Sequence, residues 1–441
     1  MTGATNVGGL LAGVEPERVV GKLSRIVGLE AEARGVRGAM GDLVWIASAR
    51  GPVPAEVVAV REDALLLAPF GELAGVSPGA EVEPMGRSLS MIVGPGLRGR
   101  VLDALGRPID GGPAITGERV ALDAAVPHPL SRQRISQPLP LGVRAVDTLL
   151  PCGRGQRVGI FAGSGVGKST LLGMLARGTA ADVVVVGLVG ERGREVREFL
   201  EDDLGAAREN VTAIVATSDE PPMLRLRAAY TATRVAEYWR DQGADVLLLV
   251  DSLTRFAMAA REIGLGAGEP PATRGYPPSV FAELPKLLER AGPGETGTIT
   301  ALYTVLVEGD DTVADPVADA ARGILDGHII LSRRLAAAGH YPTIDVLESA
   351  SRLAGKVCPP EQLQLAGKAR RLLSAYAGAK ELIEIGAYAP GADPDVDEAL
   401  VLRPALNRFL QQPVDEIADP QLSWQQLAGI LSGGFDDGGD A

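Results

Sequence analysis

From about Gly142 onward, short apolar runs alternate with stretches of helical spacing. The runs are Val158 to Phe161, Val183 to Leu188, Val211 to Val215, Val246 to Val250, Ile299 to Val305 and His328 to Leu331. Most are apolar along their whole length instead of alternating, the pattern of a strand buried on both faces. Separated by helices, they predict a parallel sheet in an α/β domain. Upstream, from about Glu17 to Met85, the runs are shorter and cut by glycines: Val19 to Leu23, Leu43 to Ala47, Ala55 to Val60, Ala64 to Leu67 and Ala80 to Val82. Short, closely spaced strands suit a small barrel or sandwich. Beyond Gly355, the positions Leu365, Ala369, Leu372, Tyr376, Ala379 and Ile383 form one apolar stripe at helical intervals. The predicted architecture is an α/β core with a small N-terminal β-barrel (residues 17–87) and a C-terminal helical domain (residues 356–432). The core spans residues 88–355 and opens with a Gly- and Pro-rich connecting segment, 88–141, expected to hold little helix. The Gly- and Asp-rich end, residues 433–441, is expected to be a disordered tail.

Composition narrows the class. The chain has 441 residues, enough for more than one domain, with 46% hydrophobic and 22% charged residues, an ordinary balance for a globular protein. A formal net charge of −13 argues against a general nucleic-acid-binding surface. Two cysteines, Cys152 and Cys358, make no disulfide framework and suit a reducing compartment. The first residues lack a basic start followed by an apolar run, so no signal peptide is expected. No uncharged apolar stretch reaches the roughly 18 residues of a membrane span. A cytoplasmic enzyme is the expectation.

The chemistry concentrates at strand ends. Ala162-Gly163-Ser164-Gly165-Val166-Gly167-Lys168-Ser169 follows one apolar run and opens a predicted helix from Thr170 to Ala176. Glycines let successive backbone N–H groups turn inward on phosphate oxygens, and the helix N-terminus adds partial positive charge. In such a P-loop the lysine, here Lys168, supplies charge to the β/γ-phosphates, and the hydroxyl of Ser169 suits Mg²⁺. Ala162 stands where the motif usually has glycine; it fits if its φ is negative. Asp251 ends the run Val246 to Val250, beside the loop in this architecture, where a carboxylate serves Mg²⁺ through water. The competing reading is a helix N-cap, since Ser252-Leu253-Thr254 follows. Glu191 ends the run Val183 to Leu188 through Val189-Gly190. It suits the orientation and deprotonation of an attacking water, or else forms a solvated surface pair with Arg192. These elements together predict an ATP-binding enzyme that cleaves the β–γ phosphate bond.

Longer stretches carry a resemblance. Phe161 to Ala176 (FAGSGVGKSTLLGMLA), Gly187 to Glu198 (GLVGERGREVRE), Leu249 to Glu262 (LVDSLTRFAMAARE), Gly268 to Phe281 (GEPPATRGYPPSVF), Leu325 to Arg334 (LDGHIILSRR) and Gly339 to Arg352 (GHYPTIDVLESASR) resemble the rotary ATPase α/β-subunit family. Within it they look most like the flagellar type III export ATPases, with the injectisome ATPases the nearest alternative. The resemblance covers roughly residues 17–430. It implies a RecA-like sheet and a nucleotide cradle formed by Ala162, Gly163, Ser164, Gly165, Val166, Gly167, Lys168, Ser169 and Thr170. It implies Glu191 as the catalytic carboxylate, with Lys168 and Arg192 near the γ-phosphate, and Ser169 and Asp251 on the magnesium side. Tyr341 matches an aromatic residue against adenine, and Arg352 a finger offered to the neighbouring subunit's site. A finger given in trans implies a homohexameric ring. The expected cofactors are ATP and Mg²⁺. The expected partners are a central coiled-coil stalk, a stator-like regulator and chaperone–cargo complexes. The expected location is the inner face of the cytoplasmic membrane, peripheral to an export gate.

Two further stretches match coupling loops in relatives. The proline-rich segment Gly268 to Pro278 would face a central channel, and Gly309-Asp310-Asp311-Thr312 with Asp315 would meet a stalk; both also read as ordinary solvated turns. Met1 to Gly13 departs from the family, whose flagellar members begin with an amphipathic regulator-binding helix. Two other functions share the core. An RNA-translocating hexameric helicase would want stacking aromatics in its N-terminal domain, where residues 17–85 offer only Trp45 and Phe70. A rotary ATP synthase catalytic subunit commonly alternates with non-catalytic chains, whereas Glu191 and Arg352 in one chain suit a self-sufficient ring.

Overall fold

A computed structural model describes residues 19–28, 30–307 and 315–433. The chain divides into two units, one ending at Leu89 and one beginning at Ser90. The expected tail (but for Gly433), the segment Met1 to Gly13 and the acidic loop Gly309 to Thr312 lie outside the described residues.

In the first unit, six strands among the described residues close into an antiparallel barrel: β1 (Gly21–Val27), β2 (Glu30–Arg34), β3 (Asp42–Ile46), β4 (Val53–Val60), β5 (Leu65–Pro69) and β6 (Glu81–Ser88). Their order around the barrel is β1-β2-β5-β4-β3-β6. The interior takes alternate residues, Leu23 from β1, Ala31 and Ala33 from β2, Val44 and Ile46 from β3, with Leu67 and Val82 opposite. Small alanines on β2 let so narrow a barrel close over larger neighbours. β2 is absent from the runs read in the sequence. Its Glu-Ala-Glu-Ala-Arg has low β propensity, and only the pairing Ala33 with Leu23 and Leu65 makes it a strand.

The second unit begins with the connecting segment, which holds little helix, as expected, and three short strands that the sequence reading did not place. β7 (Ser90–Val93) pairs with β9 (Glu118–Ala121), and β8 (Val101–Asp103) joins the edge of the main sheet beside β12 (Val211–Thr217). The other strands are β10 (Arg157–Ala162), β11 (Val183–Glu191), β13 (Asp245–Asp251), β14 (Gly292–Pro293), β15 (Thr298–Leu306), β16 (Gly327–Leu331) and β17 (Ile344–Ser351). Among the described residues the sheet runs β17-β16-β10-β15-β13-β11-β12-β8, with β14 alongside β15. All six predicted runs are strands, and their mutual pairings are parallel. The sheet is not wholly parallel, because β17 folds back antiparallel on β16 and β14 lies antiparallel to β15.

Residues Val183 to Val189 of β11 are all buried, which is why that run carries no alternation. Helices Pro222–Asp241 and Leu253–Gly266 cover one region of the sheet. The predicted C-terminal stripe lies on helix Pro360–Glu384, which packs with Pro394–Leu410 and Pro420–Leu431. Ala369, Leu372, Leu406, Phe409 and Leu427 belong to the same apolar cluster as Ile160, Leu171 and Val186. Each fully buried leucine or phenylalanine contributes about 1.5–3 kcal/mol through area removed from water. The helical region is thereby held to the α/β core by shared core packing. No helix among the described residues is long and apolar enough to cross a membrane.

Candidate active site

β10 delivers the chain into the glycine-rich turn, and helix Lys168–Gly178 leads out of it. Ala162 is the last residue of β10, buried and paired with Leu306 and Leu331. Among the described non-glycine residues a positive φ occurs at Arg274 and not at Ala162, so alanine fits the first motif position without strain. Gly165 (φ +76°) and Gly167 (φ +86°) take the left-handed region that tightens the loop. Val166 is buried, and its carbonyl accepts a 2.7 Å hydrogen bond from the Thr343 hydroxyl, which pins the loop from the far side. Ser164 and Ser169 are exposed at the mouth, and Thr170 is half-buried in the first helical turn. The unpaired N–H groups of that turn face the same opening.

Two carboxylates converge on the lysine. The Lys168 Nζ lies 2.5 Å from Asp251 Oδ1 and 3.4 Å from Glu191 Oε1. Asp251 ends β13 and is 3% exposed. Its Oδ1 also accepts a 2.6 Å hydrogen bond from the Thr304 hydroxyl of β15. The N-cap of the following helix is Ser252, whose side chain accepts from the Arg255 N–H at 3.2 Å. Asp251 is thus turned toward the lysine and does not cap the helix. Glu191 ends β11 after Gly190, which takes φ +70°. Burial, then the like charge of Asp251, push the Glu191 carboxyl up to about 7, against the pull of Lys168. Burial opposes the charge on Lys168, but the two carboxylates outweigh it and raise its pKa above the ordinary lysine value.

The remaining predicted residues fall in two groups. Tyr341 stands beside the loop: a Cβ placed on Gly167 would lie 3.9 Å from its ring. It is 49% exposed, so it is no core tyrosine, and its carbonyl accepts from the Gln412 N–H at 2.9 Å. Arg192 and Arg352 are not brought to the loop. Arg192 is turned outward, its side chain 75% exposed and paired with Glu195 at 3.0 Å. Arg352 follows β17 at the opposite end of the sheet. Gly327 pairs with Ser351, whereas Ala162 pairs with Leu331, four residues further along β16. At about 3.3 Å per residue, this separates Arg352 from its own phosphate loop by roughly 13 Å along the strand. Its guanidinium is exposed and donates to the Arg322 carbonyl at 3.1 Å.

Known proteins place this arrangement. Residues 142–351 match the ATP synthase alpha/beta family, nucleotide-binding domain, and residues 358–429 match the T3SS EscN ATPase C-terminal domain. The flagellum-specific ATP synthase of Bacillus subtilis is 51% identical over 418 residues, covering 93% of this chain and 94% of the relative. The chain belongs to the ATP synthase alpha/beta family. Another member, the type 3 secretion system ATPase of Xanthomonas euvesicatoria, is 52% identical over 426 residues, 95% of this chain and 96% of its own. Among solved members, the assembled ATPase EscN from the type III secretion system of enteropathogenic E. coli superposes with a TM-score of 0.89 at 45% identity, covering 93% of this chain and all of that one. The same ATPase in complex with its central stalk EscO gives 0.86 at 44% identity, with equal coverage.

Three contacts in this family member escaped the sequence reading. Thr304 is the donor to Asp251; its signal was a polar residue inside the apolar run of β15. Arg333 opens helix Arg333–Ala337 directly after β16, and its guanidinium lies so close to Gly163 that a Cβ there would meet Nε at 2.8 Å. Only the register of β16 beside β10 brings it there. Gln412 joins the helical region to the site. Besides its bond to Tyr341, its side chain donates to the Gly142 carbonyl at 2.8 Å and accepts from the Arg144 N–H at 2.9 Å. Its position after helix Pro394–Leu410 gave no local cue.

Proposed function

We propose that this chain hydrolyses Mg·ATP in a homohexameric ring and so drives flagellar type III protein export. The observation that carries the reading is the ammonium of Lys168 held between Glu191 and Asp251 at the head of a helix that follows a glycine-rich turn. Such a nest grips a polyphosphate by backbone N–H groups and one mobile cation. Incoming phosphates compete with the two carboxylates for Lys168, and its charge moves onto the β/γ oxygens.

Asp251 and Ser169 would hold the magnesium ion. A buried carboxylate and an exposed hydroxyl are the hard oxygen donors that Mg²⁺ takes, beside substrate phosphates and retained water. When bound, the ion offsets the charge that develops on the phosphates. Glu191 orients the attacking water and accepts its proton, and a carboxyl at about 7 is matched to that task near neutral pH. Tyr341 offers an exposed ring to the adenine. Arg192 takes part by swinging away from Glu195 toward the γ-phosphate.

Arg352 serves the site of the next subunit. Its exposure and its place at the far end of the sheet support a role in trans, which requires a closed ring. The family's EscN, solved as an assembly and with its central stalk EscO, supports both the ring and a coiled-coil stalk through it. The loop Gly268 to Pro278 suits the channel wall. It is braced by Arg261, which donates to the Gly275 carbonyl at 2.8 Å and stacks over Tyr276. Asp315 is committed elsewhere, since its side chain caps helix Pro316–Ile324. Closure around nucleotide reaches the helical region through Tyr341 and Gln412. There the ring would engage chaperone–cargo complexes and a stator-like regulator, peripheral to a membrane export gate on the cytoplasmic side.

The identity to an injectisome ATPase is as high as that to a flagellar one, which favours injectisome secretion as the second reading. Complementation separates them. In a host lacking its own flagellar ATPase, the chain is expected to restore filaments and Glu191→Gln to leave cells bare. Restoration of injectisome secretion in place of filaments would overturn the flagellar assignment.

A further inference from the structure

Near its C-terminal end, between Tyr303 and Val305, β15 places a buried hydroxyl beside the site. Thr304 is wholly buried, set beside Ile160 of β10 on one side, while its neighbour Tyr303 pairs with Val250 of β13 on the other. A hydroxyl withdrawn from water is unfavourable unless it is bonded. Two acceptors lie within reach, Asp251 Oδ1 at 2.6 Å and the Val250 carbonyl at 3.5 Å. The single proton therefore goes to the carboxylate. The same Oδ1 meets the Lys168 ammonium at 2.5 Å. Both donors thus act on one oxygen of Asp251 and leave Oδ2 uncommitted by either.

The two donors differ in permanence. Lys168 is on a long side chain at the mouth of the loop and is drawn onto phosphate when nucleotide enters. Thr304 is β-branched, enclosed and carried by a central strand, so it stays. We propose that Thr304 is a positioning residue for the metal-side carboxylate: it holds Asp251 in one rotation after Lys168 has left, which would keep Oδ2 available to a hydrated magnesium ion. The proposal rests on the reading of Asp251 as the magnesium-side carboxylate. The sheet does not need this bond to stay closed. β13 and β15 share a continuous parallel register, and the Leu306 N–H is separately tied to the Thr254 hydroxyl at 2.8 Å.

The test is the affinity of the purified full-length chain for a fluorescent ADP analogue, measured with Mg²⁺ and with EDTA. Thr304→Val keeps the branched shape and removes the donor; Thr304→Ser keeps the donor. A hydrogen bond to a charged group predicts that Thr304→Val cuts the Mg²⁺-dependent gain in affinity about tenfold or more, with affinity in EDTA unchanged and Thr304→Ser close to wild type. Thr304→Ala removes the same donor and carries the test if the valine variant does not fold. A full Mg²⁺ gain in the donor-less variant, or an equal loss with and without the ion, overturns the proposal. Asp251→Asn run in parallel separates the two claims. If it loses the gain while Thr304→Val keeps it, only the positioning role fails. If it too keeps the gain, the magnesium-side reading of Asp251 fails and takes the role of Thr304 with it.

Discussion

At one end of the central sheet, Lys168 sits within ion-pair distance of both Glu191 and Asp251, a site assembled from one helix start and two strand ends within a single chain. At the other end, Arg352 leans on a backbone carbonyl and faces solvent. The first end is largely buried and raises the pKa of both Lys168 and Glu191; the second is open. On the proposed reading, the arginine for the γ-phosphate comes from the next subunit, and the place of Arg352 at the opposite end of the sheet supports that. The contrast fits a machine in which each chain carries one nearly complete phosphate grip and one spare cation for its neighbour. Under that proposal, isolated chains should hydrolyse ATP far more slowly than assembled rings.

The largest expected effect comes from the open end. Arg352→Ala should lower steady-state turnover by about 10³–10⁵, as for arginine fingers generally, with ring formation intact by light scattering. Near-normal turnover would remove the finger role and make the two ends independent. Next comes the buried end. Glu191→Gln should cost roughly 10²–10⁴ in turnover while nucleotide still binds. The same carboxyl should set the acid limb of the pH profile. Glu191 must be ionised to take a proton, and its carboxyl stands at about 7, so kcat/KM should rise with pH through that value and fall below it. The glutamine variant should lose the inflection. A profile flat from pH 5 to 8 would place the proton acceptor elsewhere. The smallest effect belongs to Tyr341→Ala. Losing one stacking ring should weaken ATP binding up to about tenfold with turnover at saturation little changed.

The sequence exposed the phosphate grip because parallel strands are buried on both faces and their ends are therefore easy to locate. Glu191 and Asp251 each close a strand that an apolar run predicts, and Lys168 opens the helix that follows the glycine-rich turn after another. Elements that depend on partners were hidden. β2 reads as helix-forming Glu and Ala until its neighbours close the barrel. β8 has three residues and becomes a strand only against β12, more than a hundred positions away. β17 alternates buried and exposed residues at the sheet edge, so it lacks the continuous run of the inner strands. The same limit applies within the site. Thr304, Arg333 and Gln412 act across strands or between domains, and no local pattern announces a contact whose partner lies distant in sequence. Arg192 shows the converse. Its neighbour Glu191 points into the site, and one residue later the chain has turned outward to Glu195.

Subunit mixing tests the division of labour most directly. Rings of Glu191→Gln and rings of Arg352→Ala, each inactive alone, are dissociated, combined in equal amounts and reassembled. Wherever an Arg352→Ala chain presents its intact Glu191 to the intact Arg352 of a Glu191→Gln neighbour, a complete site forms. Hydrolysis by the mixture should rise far above the sum of the two parents, whereas a rate no greater than that sum would contradict an arginine supplied across the subunit boundary.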